Sequence, residues 1–158
     1  MRRIPLTKGK EALVDDQDYD YLIQWKWFVS GGYAKRSTYP YGRGRPVQVA
    51  MHNEVARRNG LRCKEVDHID RNGLNNTRGN LRPATRRQQA MNRGLRKDNT
   101  SGYKGVCWHK KTGKWAASIM HNGRREHIAL FVDPKRAATA YNERALKYFG
   151  EFAQLNKV

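Results

Sequence analysis

Asp67 and His68 stand side by side in Val66-Asp67-His68-Ile69-Asp70. A turn rich in glycine and asparagine, Arg71-Asn72-Gly73-Leu74-Asn75-Asn76, leads from them towards Asn80-Leu81-Arg82. Histidine can take a proton from water near neutral pH, because its unperturbed pKa is about 6.5. A neighbouring carboxylate is a ligand for a hard divalent cation such as Mg²⁺. A base beside such a cation is the minimum apparatus for hydrolysing a phosphodiester. The surrounding chain carries 32 Lys and Arg against 14 Asp and Glu, a formal net charge of +18 over 158 residues. That excess calls for a polyanionic partner, and nucleic acid leads the candidates. Taken together, the motif and the charge point to nuclease chemistry.

An anionic membrane surface is the other polyanion to weigh, but no run approaches the ~20 apolar residues that span a bilayer. Met1-Arg2-Arg3-Ile4-Pro5-Leu6 does not continue into the apolar stretch of a secretory signal. Cys63 and Cys107 lack paired metal-ligand spacing and make no disulfide framework. They read as reduced thiols of a cytoplasmic protein, in a bacterial host's cytoplasm if a phage encodes the chain. Four Trp, eight Tyr and four Phe give small cores something to bury. No protein partner is implied.

Three segments must position the chemistry. In the first, residues 1–50, alternation around Ile4-Leu6 and Ala12-Val14 predicts strands. Asp15, Asp16, Asp18 and Asp20 read as an acid-rich helix start that caps its own N-terminus, in preference to a metal cluster. Trp25 to Arg36 reads as a hairpin around Gly31-Gly32, and Pro40 to Pro46 as a basic loop. In the second, residues 51–93, Met51 to Arg58 predicts a helix ended by Gly60, with His52 read as a packed or solvated structural residue. Glu65 to Ile69 and Asn80 to Arg82 are paired strands. Thr85 and Gln88 spell a capping box for a helix lasting to about Arg93. Arg82, Arg86, Arg87 and Arg93 belong to a basic run that no acid interrupts from Arg78 to Lys97, read as a phosphate-binding surface. Residues 94–100 form a polar linker.

The third segment, residues 101–158, predicts three strands and a helix. They are Tyr103–Trp108, Lys114–His121, Arg124–Phe131 after a type I′ turn at Asn122-Gly123, and a helix capped by Asp133 and closed by Gly150. Trp115, Ala117 and Ile119 alternate onto the face beneath the helix, with Ala137, Tyr141, Ala145 and Tyr148 above them. Ser118 and Met120 lie on the opposite face with Arg125 and His127, a ribbon suited to a DNA major groove. Lys110, Lys114 and Arg124 extend its basic surface. Trp115 reads as packing, while Trp108 suits packing or base stacking equally.

Residues 47–93 resemble the HNH endonucleases of the homing type found in phages and mobile introns. The likeness rests on Met51-His52, Val66 to Asn76 and Asn80-Leu81-Arg82-Pro83-Ala84-Thr85. The opening segment, with Val14-Asp15-Asp16, Asp18-Tyr19 and Trp27, also looks like the N-terminal part of these proteins. Residues 101–155 resemble the AP2 DNA-binding domain through Ser101-Gly102-Tyr103-Lys104-Gly105-Val106, Gly113-Lys114-Trp115, Ala137-Ala138, Ala140-Tyr141 and Phe149 to Ala153. The resemblance implies an α+β chain with a ββα-metal (His-Me finger) nuclease core, a small β-rich N-terminal part and a C-terminal three-stranded sheet plus helix. It makes His68 the general base, Asp67 a ligand of one divalent metal, Mg²⁺, and Asn80 the residue that fixes the loop around His68. The family's second ligand is commonly Asn or His on the following helix; here that position is Gln89, and Asn92, one turn on, is the substitute. Lys104, Arg125 and His127 fall where plant AP2 members touch DNA with Arg or Trp, while Ser118 and Met120 replace a charged pair. The implied activity is metal-dependent hydrolysis of duplex DNA, leaving 5′-phosphate and 3′-hydroxyl ends. Two other readings stay open: a DNA-binding regulator whose Gln89 marks a silent metal site, and a basic RNA-binding or assembly protein.

Overall fold

The computed structural model describes residues 1–40 and 42–158, so the basic loop expected at Pro40 to Pro46 falls partly, at Tyr41, outside the described residues. The chain is a mixture of small antiparallel sheets and short helices, and it divides into two compact units, Met1–Arg86 and Arg87–Val158.

The first unit opens with an antiparallel pair, β1 (Arg2–Pro5) and β2 (Glu11–Val14), followed by helix α1 (Asp16–Leu22). Strands β3 (Phe28–Ser30), β4 (Tyr33–Thr38) and β5 (Val47–Ala50) form a second antiparallel sheet in that order. Helix α2 (Met51–Arg58) leads by a loop to β6 (Val66–His68), which pairs with β7 (Leu81–Pro83). The end of α2 follows from Gly60, whose φ of 72° is unfavourable for other residues. The Gly60 N–H donates to Arg57 O and the Leu61 N–H to Ala56 O, which satisfies the last carbonyls of the helix.

A single core joins Ile4, Ala12, Val14, Leu22 and Trp27 to Met51, Val55, Val66 and Leu81. Residues 1–50 are therefore not a segment apart. Their apolar faces bury the helix and strands that carry the candidate site. The acids of α1 also differ from expectation: the Asp15 side chain makes no N-cap bond. Instead Asp15 Oδ2 accepts from the Arg78 N–H at 2.7 Å, and the fully buried Asp18 carboxylate is held by Arg58 and Arg78. A long-range hydrogen bond at Asp15 and ion pairs at Asp18 replace local capping.

The second unit begins with α3 (Arg86–Met91), whose first residue closes unit one, and continues through β8 (Val106–His109), β9 (Lys114–His121), β10 (Arg124–Phe131) and α4 (Pro134–Phe149). The sheet runs β10-β9-β8, all antiparallel. Asn122 and Gly123 adopt φ of 52° and 75°, the conformation of the expected type I′ turn. Asp133 caps α4 by accepting from the Lys135 N–H at 2.9 Å. Ala117 and Ile119 are buried with Ala137, Ala138, Tyr141 and Ala145. Small side chains on α4 let it lie close to the sheet.

The division between units falls at 86/87, before the expected linker at 94–100. The Lys104 ammonium explains why: it donates to the carbonyls of Met91 and Arg93, each at 2.6 Å. Those are carbonyls at the end of α3, where a cation is favoured. The helix expected to finish the nuclease core is thus fastened to the sheet unit.

Candidate active site

Register explains the first contact of the site. Asp67 lies opposite Arg82 and His68 opposite Leu81 across the β6–β7 pair. Directly opposed residues project to the same face. Asp67 Oδ2 accepts from Arg82 Nη2 at 2.9 Å and Nε at 3.1 Å, and both side chains are nearly buried. Arg82 was expected to face DNA. It is spent instead on Asp67, because the strand pairing puts the two charges together.

His68, on the other face of β6, is 4% exposed. Its Nε2 lies 3.4 Å from Asn76 Oδ1. Donation from Nε2–H to that oxygen places the basic lone pair on Nδ1. The His52 ring stands edge-on to His68, with centroids 5.1 Å apart, and Tyr33 leans on both rings at 5.4 and 5.7 Å. Burial pushes His68 below the ordinary histidine range, against the opposing pull of the Asn76 bond and the charges of Asp70 and Asp67. Burial, reinforced by His68 and Lys35, lowers His52 to about 4. Both rings therefore stay uncharged at neutral pH, as a base must be before it accepts a proton.

The loop between β6 and β7 is built by its amides. Asn80 Nδ2 donates to Asp70 Oδ1 and to Asn75 O, both at 2.8 Å, while Asn80 Oδ1 accepts from the Asp70 N–H at 3.0 Å. Burial alone would raise the Asp70 carboxyl. Hydrogen bonds from Asn75, the Asn72 N–H and Asn80 outweigh it and hold the carboxyl below its usual range. Asn76 is fully buried, and its N–H donates to Leu13 O at 2.8 Å, which moors the loop to β2. Gly73 is required here: a Cβ would sit 2.5 Å from Gly32 O and 2.6 Å from the Tyr33 ring.

His52, read from the sequence as structural, and Tyr33 and Asn76, given no role of their own there, all stand against His68. A lone histidine on an amphipathic helix and an asparagine among several in a turn look ordinary. Only the alignment of α2, β4 and the loop around β6 brings them together.

Asp67 belongs to the first unit, and Gln89 and Asn92 to the second. Among the described residues no group of three or more His, Cys, Asp or Glu assembles as a metal site. Carboxylate and amide oxygens are each hard donors, of the kind that suits a magnesium-like cation and not zinc or copper.

Of the residues expected to meet DNA, Arg86 is exposed and pairs with Glu65 at 3.0 Å, and Arg87 donates to the Asn122 side chain. Lys104 is engaged at the end of α3, as described. Arg93, Lys110, Lys114, Arg124, Arg125 and His127 are exposed. Arg125 and His127 pair in register with Met120 and Ser118, so these four share one face. Trp108 is exposed and packs edge-on against Trp115 with centroids 5.0 Å apart.

No family model matches the chain, and no solved structure matches it. It is 42% identical over 154 residues, 96% of this chain and 77% of the relative, to an uncharacterized HNH endonuclease of Acanthamoeba polyphaga mimivirus. It is 37% identical over 63 residues to Protein 3.8 of Escherichia phage T7, covering 40% of this chain and 52% of that protein. An AP2-like ethylene-responsive transcription factor of Arabidopsis thaliana is 31% identical over 78 residues, 49% of this chain but 16% of the plant protein. The likeness to the viral protein runs through nearly all of both units, and on it the chain belongs to the HNH endonuclease family.

Proposed function

We propose that the chain is a metal-dependent endonuclease that hydrolyses phosphodiester bonds of duplex DNA, with His68 as general base. The observation that carries this reading is the setting of His68: an uncharged, buried imidazole, held between Asn76, His52 and Tyr33, one residue from the Asp67 carboxylate. Asn76 fixes the tautomer, and His52 and Tyr33 fix the ring plane. Nδ1 then takes the proton of a water in line with the phosphorus, while the 3′ oxygen leaves. Products carry 5′-phosphate and 3′-hydroxyl ends. Asp67 and the amide oxygen of Gln89 or Asn92 would hold one Mg²⁺, which when bound supplies charge stabilisation to the phosphorane and the leaving oxygen. Asn80 keeps the loop around His68 closed. The second unit serves as an AP2-like DNA reader through the exposed Arg125 and His127, which share one sheet face. Viral and phage relatives support a mobile-element or homing-type nuclease working in the cytoplasm of its host.

The Asp67–Arg82 ion pair favours a second reading, a protein that binds DNA without cutting it, because an arginine competes with a cation for the same oxygen. Supercoiled plasmid separates the two. The wild-type chain should nick or linearise it with Mg²⁺ and not with a chelator. His68→Ala should cut at least ~100-fold more slowly while binding DNA within a few-fold of wild type. Wild-type protein that binds plasmid and never cuts it, or His68→Ala that cuts at the wild-type rate, overturns the assignment.

A further inference from the structure

Most arginines of the first unit around the site are already spent on carboxylates. Arg58 and Arg78 hold Asp18, Arg36 and Arg57 hold Glu54, and Arg82 holds Asp67. Arg62 and Lys64 are different. Both are exposed, and among the described residues neither side chain has an ion-pair or hydrogen-bond partner. Both line one groove of about 730 Å³ between the end of α2 and the start of β6, together with Asn53, Arg57, Gly60 and Val66, and no carboxylate residue lines it. The partial negative charge at the end of α2 accounts for Arg57. It does not account for two further cations beyond Gly60, on a loop whose start is fixed by the Leu61 N–H bond to Ala56 O. Val66, the residue before Asp67, is among the residues that line the groove.

We propose that this groove is a phosphate track that seats the backbone of duplex DNA on the nuclease unit itself and leads it to the strand bearing Asp67 and His68. The inference rests on DNA being the substrate. Arg62 and Lys64 supply the two unpaired cations, beside an Arg57 already paired with Glu54, and the exposed Asn53 amide supplies a neutral donor. Backbone contacts of this kind set the position of the duplex and carry no base preference. They also release counterions, so each adds to the salt dependence of binding.

The test uses the full chain, with unrelated duplexes of equal length, in gel-shift titrations over a salt series. Arg62→Gln/Lys64→Gln keeps much of the side-chain bulk and removes the charges. It should flatten the slope of log affinity against log salt by about 1.8, since each phosphate contact contributes about 0.9. The loss should be the same for every duplex. Lys8→Gln/Lys10→Gln removes the same charge from exposed positions outside the groove and should leave the slope near wild type. Wild-type protein that binds DNA, with a slope unchanged in the groove variant or lowered equally in both, overturns the track alone. Wild-type protein that binds no duplex at any salt overturns the substrate reading, and the track falls with it.

Discussion

At the scale of single residues, the site depends on two histidines kept neutral by burial. His52 is lowered to about 4 by burial first and then by the nearby His68 and Lys35. In the unfolded chain the same ring titrates near about 6.5. Between those values the unfolded state binds more protons than the folded one, so stability rises with pH across that window. The neutral-ring contribution is complete above about pH 6.5 and is lost as pH falls through the folded value, with a slope of up to about 1.4 kcal/mol per pH unit for one proton. His68 shifts in the same direction and adds to the loss. His52→Phe keeps a ring against His68 and Tyr33 but cannot take a proton. Urea unfolding at intervals from pH 7.5 to 4.5 should therefore show a shallower decline for His52→Phe than for wild type. Parallel declines would mean that His52 does not titrate in this environment.

At the scale of elements, local chemistry was legible and long-range pairing was not. Gly60 past α2, Asn122-Gly123 between β9 and β10, and Asp133 before α4 each do what their types demand within a few residues of chain. Asp15 and Asp18 looked like helix caps, yet their partner Arg78 lies some sixty residues on, and no local pattern announces it. The β6–β7 strands could be read, and the opposition of Asp67 and Arg82 needed their register as well. Gly105 is a similar case. It sits in an ordinary Gly-containing strand start, but its φ is 77° and a Cβ would enter the Tyr141 ring and lie 2.8 Å from Ser118 O. Gly105→Ala should combine backbone strain with overpacking and destabilise the second unit by about 3 kcal/mol. A thermal melt of the full chain followed by proteolysis should show residues of the second unit released earlier, with the first unit unaffected. A variant as resistant as wild type would show that α4 can shift away from β8 without cost.

At the scale of the whole chain, the division at 86/87 changes what a nuclease fragment should do. A cut at the polar stretch 94–100 looks natural in the sequence, and a fragment 1–96 retains Asp67, His68, Asn80, Gln89 and Asn92. It loses Lys104, whose ammonium closes the end of α3, and the sheet to which that end is fastened. A helix as short as α3 is marginal on its own, since helical stability comes mainly from packing. Fragment 1–96 should therefore fold around the core of Ile4, Val14, Leu22, Met51 and Val55, while α3 frays. If Gln89 or Asn92 completes the proposed metal site, Mg²⁺-dependent cutting should fall at least tenfold below the full chain. Fragment 87–158 has its own cores around Ala117 and Ile119 and should fold alone, bind duplex DNA with a steep salt dependence, and cut nothing. Amide exchange on fragment 1–96 supplies the second readout: protection should survive in β6 and α2 and vanish from Arg87 to Met91. A fragment 1–96 that cuts as fast as the full chain, with α3 protected, would show that the helix needs neither Lys104 nor the sheet to hold its place.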